Sequence, residues 1–157
     1  MKQLRQFITE KFKISSKNIK TNQYNYHPET NEELIQTIYR LINKRGYNAD
    51  LNDIDTSEIT DMESVFDDND VVRNFNGDIS EWDVSNVENM NFMFAHSKFN
   101  GNISNWDVRK ARLMNGLFAY SSFNQDINKW TPPKGFKYNL IFKDCPLEKN
   151  PPKWYKK

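Results

Sequence analysis

At 157 residues the chain has the length of one domain with a sizeable core, not of two, and no run nears the roughly 18 apolar residues of a membrane-spanning helix. The single cysteine, Cys145, excludes an internal disulfide and fits a reducing compartment. The net charge of +1 hides an asymmetry: residues 47–90 hold thirteen acids against Arg73 alone (−12), and residues 129–157 hold eight lysines against Asp144 and Glu148 (+6), a dipole that steers a charged partner or favours head-to-tail contacts.

In chain order, residues 2–13 carry Leu4, Phe7, Ile8 and Phe12 on one face and Lys2, Arg5 and Lys11 elsewhere. This spacing predicts a short amphipathic helix folded back on the body, with a partner groove or a membrane surface as alternative destinations. Residues 15–27 are polar and read as a linker. Thr30, Asn31, Glu32 and Glu33 form a capping box that opens a helix with Leu34, Ile35, Ile38, Leu41 and Ile42 on its apolar side. Arg45 and Gly46 supply its stop. Residues 1–46 are thus expected to be an N-terminal helix, linker and capping helix, and residues 47–157 a repeat domain.

The repeat is announced by Trp82, Trp106, Trp130 and Trp154, the only tryptophans, each 24 residues after the last. Phe75, Phe99, Phe123 and Leu147 precede them by seven residues, and Ile79, Ile103 and Ile127 by three. An earlier copy starts at Tyr47, with Ile54 where later copies have Trp, and is longer by four residues that fall within 67–74. The units are 47–74, 75–98, 99–122 and 123–146, followed by a partial rung at 147–157. A fixed period of this length marks a stacked repeat whose copies bury their apolar faces against one another. Ile79, Trp82 and Val84 have the spacing of a short strand, and Val87, Met90 and Phe94 that of one or two helical turns. The expected class is therefore α/β: a right-handed leucine-rich-repeat-like solenoid of short parallel strands and short helices, with an N-terminal helical cap. Pro132, Pro133, Pro151 and Pro152 discourage strand addition beyond the last rung.

The unit Phe-Asn-x-Asp-Ile-Ser-x-Trp-Asp-Val-Ser-Asn-Val-x-x-Met-x-x-Met-Phe resembles the BspA-type leucine-rich-repeat-like family. The match is close over 75–94 and 99–118 and looser over 47–66 and 123–142. The resemblance implies a solenoid used for recognition, in bacterial surface proteins and also in viral or mobile-element proteins. The chain shows no signal stretch, lipobox-like cysteine or wall anchor, so a cytoplasmic setting is expected, the host cytoplasm if the protein is viral.

Trp82, Trp106, Trp130 and Trp154 share a face with Val84 and Val108 and read as the structural spine. Asp55, Asp83 and Asp107 form a column on the opposite face, each expected to accept bonds from nearby turn groups such as Ser85. On that face Glu81, Asp83, Ser85, Asn105, Asp107, Arg109, Lys129 and Thr131 run from acidic to basic along the axis, and this strip is the expected partner-binding surface. Asp67, Asp68, Asn69 and Asp70 lack calcium-loop spacing and read as a solvated insertion. No catalytic residue, cofactor or metal site is expected: nothing places His27 or His96 beside Cys145, and phosphate-loop, zinc and paired-carboxylate patterns are absent. The expected function is non-catalytic protein–protein recognition, in a small viral or mobile-element protein that binds and blocks a host factor. The alternative is nucleic-acid or nucleoprotein binding through the basic end, using Lys134, Lys137, Lys143, Lys149, Lys153, Lys156 and Lys157.

Overall fold

The computed structural model describes residues 24–156. The amphipathic stretch at 2–13, most of the linker after it, and Lys157 lie outside these residues.

The first helix, α1 (Asn31–Arg45), starts where the capping box places it. Thr30 Oγ1 accepts from the Glu33 amide at 3.2 Å, while the Glu33 carboxylate turns back to the Glu29 amide at 2.8 Å. One of the four free N-terminal donors is thereby satisfied, the Glu29 amide before the cap is tied back as well, and Glu32 and Glu33 complement the helix dipole. Gly46, at φ +91, ends the helix by donating its amide to the Ile42 carbonyl. Leu34, Ile38, Leu41 and Ile42 are buried in the common core. Polar bonds pin the helix to the first unit: Asn31 donates to the carbonyls of Asp61 and Glu63, and Arg45 forms a fork on Asp53 with both bonds at 2.8 Å.

The units that follow do stack in register, but not as strands and helices. The expected α/β solenoid of parallel strands is not what forms. Among the described residues the only parallel pairings are isolated bridges: Tyr26 with Ile54, Asp50 with Asp78, and a column Asp61, Asn89, Leu113 and Lys137. Besides α1 the described helical segments are α2 (Asp70–Arg73) and a 3-10 turn at Pro146–Glu148. The reason lies in the turn chemistry. Within the Ile-x-x-Trp-x-Val segment, Trp82 donates back to the Ile79 carbonyl and Val87 to that of Val84. Asp78 and Asp83 each accept the amide two residues on, at 2.9 and 3.0 Å. The backbone closes on itself every two or three residues, which leaves no run long enough for a ladder.

The Met–Phe segment fails to become a helix for a related reason. Met93, Ala95 and Ser97 donate to carbonyls three residues back, but Met90, Phe92, Phe94 and His96 donate across to Leu113, Asn115, Leu117 and Ala119 of the next unit. This alternation needs left-handed residues. Ser64, Phe92, Gly116 and Leu140 lie at φ +54 to +59 in corresponding places, and His96, Tyr120 and Asp144 at φ +52 to +57 four residues further on. For a bulky residue that backbone costs about 1–2 kcal/mol, which the inter-rung bonds offset. The Phe92 ring lies where a Cβ on Gly116 would stand, so the third unit has a glycine there.

Side chains make the stack continuous. Trp82, Trp106, Trp130 and Trp154 follow one another at 6.3–6.4 Å between ring centroids, the first three almost parallel. Each indole N–H donates to a carbonyl of the unit before, those of Leu51, Ile79, Ile103 and Ile127. A second pile runs through Phe66, Phe94, Phe118 and Phe142, and a third through Phe75, Phe99 and Phe123. Two asparagine ladders flank them: Asn76 to Asn100 to Asn124, and Asn91 to Asn115 to Asn139, each side-chain carbonyl accepting the next residue's amide at 2.8–2.9 Å. These asparagine side chains thus tie one unit to the next.

The insertion at 67–74 also differs from a purely solvated loop. Asn69 caps α2, Val72 is fully buried, and Arg73 grips the Asp67 carboxylate at 2.9 Å. Asp68 and Asp70 remain exposed.

Candidate functional site

The strip residues occupy three corresponding positions per rung: Glu81, Asn105 and Lys129; Asp83, Asp107 and Thr131; Ser85, Arg109 and, in the fourth unit, Pro133. The first row is exposed throughout. The second row begins in local bonding. Asp83 accepts the Ser85 hydroxyl at 2.6 Å and its amide at 3.0 Å. Asp107 is held by a fork from Arg109, at 2.8 and 2.6 Å, and that guanidinium draws its carboxyl down to about 2. Asp55 repeats the pattern with Ser57 and adds His27 at 3.5 Å. The aspartates therefore shape turns, and the charge free for a partner lies in Glu81 and Lys129.

The structure brings only part of the strip together. Ser85, Asp107 and Arg109 share a hollow of about 490 Å³ with Lys110. Glu81 lines a different one, of about 600 Å³, with Asp50, Asp53 and Arg45. Lys129 and Thr131 are exposed and line neither.

A third hollow, of about 690 Å³, escaped the sequence reading. Arg109, Lys110, Arg112, Lys134 and Lys137 border it, with Phe136 and Pro133 as apolar wall and Glu88 as its one carboxylate. Unit alignment carried the signal: Asn86 is followed by Lys110 and Lys134, Glu88 by Arg112, and Asn89 by Leu113 and Lys137. The same corner bears Glu58, Asp61 and Glu63 in the first unit. Outward charge thus reverses sign along one edge of the stack.

Nothing in the described residues assembles a nucleophile and base. The Cys145 thiol is buried, and burial pushes its pKa up. His27 faces Asp55 and Tyr24, and His96 faces Asp67 and stacks on Tyr120. No group of three or more His, Cys, Asp or Glu side chains among the described residues is arranged to hold a metal ion. No described helix is long and apolar enough to cross a membrane.

Comparison with known proteins found no match among curated proteins or solved structures. Residues 35–154 match the family described as "Mycoplasma protein of unknown function, DUF285". That span takes in most of α1 and every stacked unit, and the chain belongs to this family.

Proposed function

We propose that the chain is a non-catalytic protein-recognition module that reads a charged partner along the outer edge of its stack. The observation that carries this reading is the reversal of charge at corresponding corner positions, from Glu58, Asp61 and Glu88 to Lys110, Arg112, Lys134 and Lys137, beside indole and phenyl piles that repeat from unit to unit. Stacked repeats hold their interiors constant and vary their exposed positions, which is how they acquire partners. The resemblance of the units to BspA-type repeats supports the same use. A viral or mobile-element origin, with a host factor as the partner, enters the proposal only through that resemblance.

The test is affinity capture from the native cell with the wild type and with the strip variant Glu81→Lys/Lys129→Glu. Both residues are exposed, so the variant folds, and it loses the partners that the wild type retains. Identical capture by the two proteins removes the strip from the interface. The cation cluster at the basic end also favours nucleic-acid binding as an alternative. That reading requires binding to random-sequence RNA or DNA that weakens steeply with salt, and fails if none is seen at low salt.

A further inference from the structure

We infer that the hollow between the third and fourth rungs is a binding site for an acidic peptide segment, an inference that rests on the recognition reading above. Its origin is a defect in the repeat. Ile59, Val87 and Ala111 are buried at 1%, 0% and 0% exposure, filling one core position in the first three units. The fourth unit has Gly135 there, exposed, at φ +74, with nothing within 4 Å of where a Cβ would stand. The missing side chain opens a concavity, and Phe136 forms its apolar wall while packing on Tyr138 and Trp154.

Three of the five cations around it are not consumed by the fold. Arg109 is held by Asp107, and Lys110 donates to Asn86 at 2.7 Å. Arg112, Lys134 and Lys137 make no side-chain hydrogen bond or ion pair with any described residue. Lys110 and Lys134 occupy one column in adjacent rungs, so an anion placed between them meets two positive charges.

Size and surroundings select a peptide over a polynucleotide. The hollow is within the roughly 300–1,000 Å³ of sites that enclose a few side chains. A longer polyanion continuing along the edge meets Glu88, then Asp61 and Glu63, and is repelled. An extended segment places alternate side chains on one side roughly 7 Å apart, so two carboxylates reach the cations while an apolar neighbour rests on Phe136.

The test uses the full chain and a fluorescein-labelled glutamate-rich peptide of about eight residues with one leucine, titrated by anisotropy in about 50 mM salt. Saturable binding is expected, weakened at least about tenfold by Lys134→Glu/Lys137→Glu and much less by Lys149→Glu/Lys153→Glu, which changes total charge equally outside the hollow. Unchanged tryptophan fluorescence and melting temperature show that both variants fold. Absence of saturable binding, equal weakening by the two variants, or displacement by a single-stranded oligonucleotide that binds more tightly overturns the proposal. Self-association abolished by the first variant overturns it too, since the occupant is then a second copy. A native partner captured equally by the wild type and by Lys134→Glu/Lys137→Glu leaves the recognition reading standing and removes only the hollow.

Discussion

The interior of the stack and its outer corner obey opposite rules. Inside, Trp82, Trp106 and Trp130 keep one residue type, one burial and one indole-to-carbonyl bond from unit to unit. At the corner, Glu88 gives way to Arg112 and then Phe136 within the same three units. A buried ring touches its copies above and below, so a change in one unit leaves a void in two contacts. The exposed Glu88 and Arg112 side chains face mainly water, so the identity of that position is open to a partner. Stability and recognition are thereby assigned to different residues of the same rung.

Several substitutions bear on this division, and the interior ones weigh most. Trp106→Ala removes the middle of the indole pile and the donor to the Ile79 carbonyl, and is expected to cost about 3–5 kcal/mol. Urea unfolding measures it, and a loss near that of a surface change contradicts the interior role. Gly77→Ala comes next. Its Cβ would collide with the Ala49 carbonyl oxygen, backbone that cannot move aside, so a cost of about 2–3 kcal/mol is expected. Gly135→Ala sharpens the contrast: with open space but positive φ, it costs only about 1 kcal/mol. If calorimetry finds these two alanines equivalent, the tight contact between the first two units is not as described.

Asn115→Ala removes the side-chain oxygen that accepts the Asn139 amide and the side-chain N–H that donates to Asn91, while its own backbone amide still bonds to Asn91, and is expected to cost about 1–2 kcal/mol. A smaller effect concerns acid. Arg45 hydrogen bonds hold Asp53 down to about 2, so its contribution is complete above the ordinary carboxylate value of 3.8 and fades as pH falls toward 2. The Arg45 and Asp53 side chains are 30% and 22% exposed, so solvent still screens the pair in part. Asp53→Asn should therefore lower the melting temperature slightly at pH 6 and hardly at all near pH 2; an equal shift at both rules out the charge pair as the cause. Least of all, Glu81→Lys/Lys129→Glu should alter stability by under about 0.5 kcal/mol, so a large loss means the strip is structural.

Much of this was legible from residue spacing. The tryptophan period set the unit length, and the Thr30–Glu33 pattern located the start of α1. Misreading came where short spacings were converted into local structure. Val87, Met90 and Phe94 lie on helical intervals, and Ile79, Trp82 and Val84 on those of a strand, yet both segments are chains of turns. Periodicity reports which side chains point inward, and several backbone paths satisfy the same inward pattern. The basic hollow was missed because it depends on an absent side chain, Gly135, whose consequence appears only once four units are laid side by side.

The amino-acid sequence alone determined the register of the repeat and the identity of the buried rings, because burial follows from side-chain chemistry repeated at a constant interval. Tertiary structure decided the route of the backbone between those rings. Phe92, His96 and Tyr120 adopt left-handed conformations that their own preferences oppose, and they do so because their amides bond to the next rung. Those bonds join residues distant in sequence, so no local pattern encodes them, and the sites they create on the surface exist only in the assembled stack.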